Sequence, residues 1–143
     1  MAVVSTLSNH YKYMLMDSKI DLSEDTLKII LMNTTFAFDK DAHATLASVT
    51  ADQLATGDGY TQDTKALTNL VLAEDDVNDK GVMTCDDVSW TADGGDIGPS
   101  GAAIIYDDTT SDDTVIGCID FGQDITATDG ADFEIKSIKI NNT

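Results

Sequence analysis

The sequence contains few basic residues, and this scarcity restricts the partners that the chain can bind. Its 143 residues include 8 lysines and arginines against 26 aspartates and glutamates, which gives a formal net charge of −18. Such a charge repels the phosphates of nucleic acids and of anionic lipids. We therefore expect neither nucleic acid nor a membrane surface to be a partner.

Long apolar runs are also missing. No stretch approaches the roughly 18 apolar residues that a membrane-spanning helix requires. The first residues, "MAVVSTLSNHYKYMLMDSK", lack the basic start and the continuous apolar stretch of a secretion signal. The sequence therefore predicts a protein made in a cytoplasm and not inserted in a membrane.

Cysteine is scarce as well. Cys85 and Cys118 are too few for a disulfide framework, and both lie in apolar, strand-like runs. Cysteine in such a run usually behaves as a small buried hydrophobe, so we expect free thiols, with pairing left open if the two strands are neighbours. The spacing fits no zinc site, since only His10 and His43 could add ligands. We expect no cofactor.

What the chain does contain is a regular series of short apolar segments. A hydrophobic content of 42% over 143 residues is enough for the core of a single domain spanning 1–143. The predicted strands are 27–33, 66–75, 80–90 (continuous or interrupted), 101–107, 114–122 and 131–140. Turn-forming residues separate them. This pattern predicts an all-β domain, an antiparallel, jelly-roll-like β-sandwich of about seven or eight strands, with a short helix before it.

The predicted core draws on most of these strands. Successive residues of a strand point to opposite faces. Cys118 and Ile119 therefore require that both faces of their strand are covered, either by this domain or by a partner. The core candidates are Leu27, Ile29, Leu31, Val82, Trp90, Ile104, Tyr106, Ile116, Cys118, Ile119, Phe121, Phe133 and Ile135.

Apolar residues in the first segment recur at steps of three and four residues. This spacing predicts a helical segment over residues 1–16 with one apolar stripe. The stripe either packs on its own domain or faces a partner. Tyrosine and methionine are enriched in interface cores, and copies that carry 18 negative charges need an apolar patch or a neutralising partner to associate. We therefore expect a homo-oligomer, most plausibly a trimer. The candidate interface residues are Val4, Leu7, Tyr11, Met14 and Leu15.

A cluster of aspartates lies between two of the predicted strands. Asp107, Asp108, Asp112 and Asp113 fall in "YDDTTSDD", where Asp, Thr and Ser favour a turn because their side chains bond to nearby backbone groups. We predict a hairpin tip whose four aspartates are solvated and keep this edge of the sheet from pairing with other chains.

Calcium binding is the alternative for an Asp-rich chain, because carboxylates are the ligands that this cation prefers. The best match to a calcium loop is residues 76–87, "DVNDKGVMTCDD", with Asp76, Asn78 and Gly81 at suitable positions. Lys80 and Asp87, however, stand where an oxygen ligand and a glutamate belong. An Asp-rich calcium-binding β module therefore stays a less favoured alternative. The chain has no nucleophile elbow or phosphate loop, and we predict that it is not an enzyme.

The order of its short motifs gives the sequence a resemblance. A strand ending in Leu-Met is followed by "TGDGY", "DVSW", "IIYDD" and "IDFG". In this order the chain resembles, over residues 20–136, a widespread group of small bacteriophage virion proteins encoded among head and tail genes. Its last residues, "SIKINNT", differ from the aromatic strand and glycine-rich turn with which such proteins tend to end.

The resemblance implies a structural role in the virion. The expected function is that of a capsid decoration (cement) protein, which contacts the major capsid protein or another virion protein. The alternative is an external fibre or tail module that binds the host surface or another virion protein. The resemblance carries over no catalytic residue.

Overall fold

Strands dominate the computed structural model, which describes residues 2–143, and the all-β class is confirmed. Two short helices and a 3₁₀ turn accompany nine strands in this part of the chain. The helices are α1 (Asn9–Met16) and α2 (Leu46–Val49), and the 3₁₀ turn is Thr50–Asp52. The strands are β1 (Thr6–Leu7), β2 (Leu27–Met32), β3 (Val71–Asp75), β4 (Lys80–Thr84), β5 (Val88–Thr91), β6 (Ile97–Asp107), β7 (Val115–Ala127), β8 (Asp132–Ile135) and β9 (Lys139–Asn142).

All the strand pairs are antiparallel, and the strands form sheets of four, three and two members. The orders are β1-β7-β6-β2, β3-β4-β9 and β5-β8. The long strands β6 and β7, of 11 and 13 residues, form the centre of the largest sheet. Two predicted segments are each divided, 80–90 into β4 and β5 and 131–140 into β8 and β9. The arrangement of the sheets as a jelly-roll-like sandwich stays a prediction.

The extended N-terminal segment joins the two larger sheets. The Val4 amide donates a 2.9 Å hydrogen bond to the Lys139 carbonyl of β9. The next residue turns to the other sheet, and the Ser5 amide donates at 2.9 Å to the Cys118 carbonyl of β7. Residues 2–8 therefore lie between β9 and β7 and pair with both.

Helix α1 is shorter than the helical segment predicted for residues 1–16. It begins at Asn9, because the Ser8 side chain accepts a hydrogen bond from the Tyr11 amide and so caps the first turn. Val4 and Leu7 lie before this start, in backbone that pairs with strands. The prediction of helix is thus wrong for residues 2–8, and residue 1 lies outside the described residues.

Hydrophobic clusters cover both faces of the four-stranded sheet. Ile119 belongs to the main core, which also contains Trp90 and Phe133 from the two-stranded sheet. Cys118, its neighbour, belongs to a second cluster on the opposite face, against which Phe36 packs. The prediction that both faces are covered is therefore confirmed, and this chain itself supplies the cover.

Most of the predicted core residues are buried. The exceptions are Val82 and Phe121, which are half-buried. Cys118 is buried, Cys85 is half-buried, and both are free thiols, as expected. Burial raises the pKa of Cys85 to about 11 and that of Cys118 to about 12, so both stay protonated at neutral pH.

Irregular backbone fills the outer edge of β2. The Leu54 amide donates to the Leu31 carbonyl at 2.9 Å, and the Leu67 amide donates to the Leu27 carbonyl at 2.8 Å. An unpaired strand edge is a template for pairing with other chains. Here the segment 52–67 occupies that template with the protein's own backbone.

Gly117 leaves the space through which the N-terminal segment passes. A Cβ atom at this position would lie 2.5 Å from the Thr6 carbonyl oxygen and 2.5 Å from a methyl group of Val4. We expect Gly117→Ala to lower the free energy of unfolding by about 1–3 kcal/mol, the usual effect of overpacking. Urea denaturation followed by circular dichroism measures this change.

Gly81→Ala is the matched control for this prediction. It makes the same change in a strand, but the nearest atom to the added methyl group is 4.0 Å away. The free energy of unfolding of the control should lie within about 0.5 kcal/mol of that of the wild type. Equal stability of Gly117→Ala and the wild type would show that the segment does not lie against β7 as described.

Candidate assembly surface

The five candidate interface residues come together, but they pack against the protein's own core. Val4 and Tyr11 are buried in that core. Leu7, Met14 and Leu15 are half-buried and pack against it. This is the alternative in which the stripe packs on its own domain, and it leaves Val4 and Tyr11 inaccessible to a partner.

Helix α1 exposes other apolar side chains. Tyr13 is 60% exposed and Met16 is 87% exposed. They lie off the stripe, so a search for helical periodicity passes over them. Any assembly contact of this helix in the folded protein would use these two residues first.

The prediction that all four tip aspartates are solvated is wrong for Asp107, which is fully buried. One of its carboxyl oxygens, Oδ1, accepts hydrogen bonds from the amides of Thr109 (2.9 Å) and Thr110 (3.3 Å). Its other oxygen, Oδ2, is buried and receives no hydrogen bond from a donor in residues 2–143. Burial and then the neighbouring Asp25 carboxyl raise the pKa of Asp107 to about 7. A proton held between the two carboxyl groups would satisfy that oxygen.

Asp112 is also more than a solvated tip residue. Its Oδ2 lies 2.8 Å from Nε2 of His10, so it ties helix α1 to the tip of the β6–β7 hairpin. Burial opposes its ionisation, but hydrogen bonds from Thr114 and His10 hold the pKa of Asp112 below its usual value. Asp112 therefore positions the helix against the hairpin.

The two remaining aspartates of the tip differ from each other. Asp108 is exposed, and its Oδ2 lies 3.0 Å from Nζ of Lys28. Asp113 is half-buried, and burial followed by the charges of Asp108 and Asp112 raises its pKa. The tip joins β6 and β7, which are the inner strands of their sheet. The prediction that the tip keeps a sheet edge from pairing is therefore wrong.

The segment 76–87 is not a calcium loop. It contains the turn after β3 and all of β4, whose residues pair with β3 and β9. The Asp75 carboxylate is engaged in that turn, where it accepts hydrogen bonds from the amide and side chain of Asn78. Within residues 2–143, no three His, Cys, Asp or Glu side chains form a group that could hold a metal ion.

A different surface stands out as apolar and exposed. We call Val71–Asp75, the outermost strand of the three-stranded sheet, the β3 edge. Val71 is 58% exposed, Leu72 is 50% exposed, and Val77 in the following turn is 89% exposed. In the part of the chain that the structure describes, β4 is the one strand that pairs with β3.

The β3 edge opens beside an apolar notch of about 200 Å³. The register places Leu72 opposite Met83, and Met83 opposite Ile140, on one face of the sheet. Leu22 also lines the notch. The sequence predicted a strand here, but it could not show that the strand lies at an edge.

A second groove, of about 580 Å³, lies over the four-stranded sheet. Gly101 contributes to its lining, with the half-buried rings of Phe36 and Phe38. The carboxylates of Asp120 and Asp124 also line it. The groove thus combines aromatic surface with hydrogen-bond acceptors.

Comparisons with protein-family models, with curated proteins and with solved structures found no match to this chain. No helix within residues 2–143 is long and apolar enough to cross a membrane. The sequence resemblance described above therefore stays a prediction.

The adjacent residues Asp112 and Asp113 should respond differently to neutralisation. Asp112→Asn removes a charged partner of His10, and we expect it to lower the free energy of unfolding by about 1 kcal/mol, as is usual for one hydrogen bond. Asp113→Asn removes repulsion from two neighbouring carboxylates and should be neutral or stabilising. Paired urea titrations at pH 6 test this difference, and a loss of stability in Asp113→Asn equal to that in Asp112→Asn would contradict it.

Asp107 should make stability depend on pH in the direction opposite to that of an ordinary carboxylate. Because its pKa is raised from 3.8 to about 7, the folded state binds more protons than the unfolded state between these values. The contribution of Asp107 to stability is therefore fully present below about pH 4 and is lost as the pH rises to about 7. The loss is at most about 1.4 kcal/mol per pH unit.

Asp107→Asn should remove this pH dependence, because an amide mimics the protonated carboxyl group. We expect the variant to match the wild type near pH 4 and to be the more stable protein at pH 8, as measured by chemical denaturation. Asp76→Asn makes the same change of charge in an exposed turn and should keep the wild-type dependence. A wild type that is more stable than Asp107→Asn at pH 8 would show that folding does not raise the pKa of Asp107.

Proposed function

We propose that this protein is a structural component of a bacteriophage virion, most plausibly a capsid decoration protein that binds the outer capsid surface. The observation that carries the proposal is where the motif residues of the resemblance lie in the fold. They build the scaffold, since Tyr60, Trp90, Tyr106 and Ile119 are all buried.

The "TGDGY" motif shows this scaffold role most clearly. The Tyr60 hydroxyl accepts hydrogen bonds from the Leu31 amide and the Gln53 side chain, both at 3.0 Å. Its ring lies 5.6 Å from that of Trp90, the tryptophan of the "DVSW" motif. At Gly59 a Cβ atom would lie 1.9 Å from the Thr91 carbonyl oxygen, so the turn requires glycine. Two motifs thus fix one loop against β2 and β5.

Residues of the "IIYDD" and "IDFG" motifs also build the scaffold. Tyr106 and Ile119 are buried on opposite faces of the four-stranded sheet. Asp120 accepts a 2.8 Å hydrogen bond from the Gly122 amide and so shapes the backbone of β7. Motifs that specify a scaffold support a structural role better than an enzymatic one.

The partner that we propose is the major capsid protein or another virion protein. The chain would bind this partner after its synthesis in the host cytoplasm. Copies with a net charge of −18 repel one another, so their association requires an apolar contact or a neutralising partner. The homo-oligomer, in particular the trimer, belongs to this proposal, with Tyr13 and Met16 as the exposed apolar residues of helix α1.

Co-sedimentation with capsids tests this function. The purified chain should pellet with expanded capsids assembled from the major capsid protein encoded in the same genome, and it should raise the temperature at which they release their contents. A chain that stays in the supernatant at saturating concentration would refute the decoration function.

The second groove favours the alternative function, an external fibre or tail module that binds the host surface. Aromatic rings beside carboxylates suit a neutral saccharide, whose C–H groups pack on the rings and whose hydroxyl groups donate hydrogen bonds to the carboxylates. Phe38→Ala should then abolish binding to host cells and leave capsid binding unchanged. Binding to cells but not to capsids would replace the first function by this one.

A further inference from the structure

We propose that the β3 edge accepts an extended strand from another protein, and that this strand alternates apolar and basic residues. The inference deepens the proposed function, on which it rests, because it names the surface of this chain and the chemistry of the segment that binds there. Three features of the edge carry it: its backbone, the notch beside it, and its charge.

The backbone of the β3 edge is open on one side. β3 pairs with β4 from Val71↔Thr84 to Asp75↔Lys80, and the opposite edge of β3 has no strand partner in residues 2–143. The β2 edge of the four-stranded sheet is different, since backbone from 52–67 fills it. An extended peptide can add to an open edge by main-chain hydrogen bonds, with its alternate side chains providing specificity.

The notch supplies a place for one apolar side chain of the added strand. Leu72 is half exposed, whereas Met83 and Ile140, in the same row, are buried. The row therefore ends in an apolar surface that residues 2–143 cover only in part. An added strand would continue this row at the usual spacing of about 4.8 Å and bury Leu72.

The charge around the edge specifies the rest of the partner. In residues 70–87 a single base accompanies six acids. The base is Lys80, and the acids are Glu74, Asp75, Asp76, Asp79, Asp86 and Asp87. Basic side chains on the added strand would be attracted by these negative charges, whereas acidic side chains would be repelled.

The same charges argue against a second copy of this chain as the occupant. Two β3 strands paired edge to edge would bring together, at the strand spacing of about 4.8 Å, two segments that each carry six acids and one base. That distance is shorter than the screening length of about 8 Å at physiological ionic strength, so salt would not remove the repulsion. A basic strand from a different protein fits the edge and its charge together.

Synthetic peptides test the mode of binding without altering the protein. The probe is a seven-residue peptide of alternating lysine and valine, measured by isothermal titration calorimetry at physiological salt. Two further peptides carry N-methyl groups on the amides of the odd or of the even residues. Because an added strand uses the amides of only one edge, one methylated peptide should lose at least about tenfold in affinity and the other should bind like the parent.

Variants of the protein locate the site. Leu72→Asp removes the apolar row but makes the edge more acidic, so it should weaken parent-peptide binding at least about tenfold if the strand adds here. It should strengthen binding if the attraction is only electrostatic. Ala47→Asp adds the same charge at an exposed position of helix α2, away from the β3 edge, and should leave affinity unchanged. Thermal unfolding confirms that both variants are folded.

The outcomes separate this inference from the proposed function. Absence of peptide binding, equal effects of the two methylated peptides, or normal affinity in Leu72→Asp would each overturn the β3 edge as the site. If Leu72→Asp still sediments with capsids like the wild type, the edge is again overturned while the decoration function stands. If the wild type binds one methylated peptide like the parent and the other more weakly, but does not sediment with capsids, the β3 edge is supported as a binding site and the decoration function is refuted.

Discussion

The fold depends on one short run of backbone hydrogen bonds, those that residues 2–8 make to β9 on one side and β7 on the other. Through Val4 and Ser5 this segment connects sheets that otherwise share few strand contacts. It also sets where helix α1 begins, and thereby the position from which His10 reaches Asp112 at 2.8 Å. Gly117 permits this arrangement because any side chain there would displace the segment.

The sequence was sufficient for the class of the fold and for most of its core. Alternating apolar residues and polar turns revealed the strands, and the neighbouring residues Cys118 and Ile119 revealed that both faces of β7 are covered. These properties are local, since they follow from the period of a strand. The helix was mislocated because Val4 and Leu7 face inward from extended backbone at a spacing that a helix also produces.

The features that the sequence did not predict depend on contacts between residues that are far apart along the chain. Composition marks Asp107 as a turn residue, yet its burial depends on Leu27 pairing with it and on Asp25 lying beside it. Likewise, the exposure of Leu72 follows from β3 being outermost, which is a property of strand order. Periodicity suggested an assembly surface on the apolar stripe of the first segment. The proposed surface is instead the β3 edge, which is defined by the order of the strands in the sheets.

The unequal ends of the strand system have a consequence for stoichiometry. The β2 end is occupied by the chain's own backbone between Leu54 and Leu67, whereas the β3 end is open. Filaments that grow by edge pairing need two open edges on every subunit, because each copy must both receive a strand and offer one. Along this run of strands only the β3 end is open, so pairing through it ends after one addition. Pairing through the β3 edge alone therefore joins two copies and cannot build a fibre.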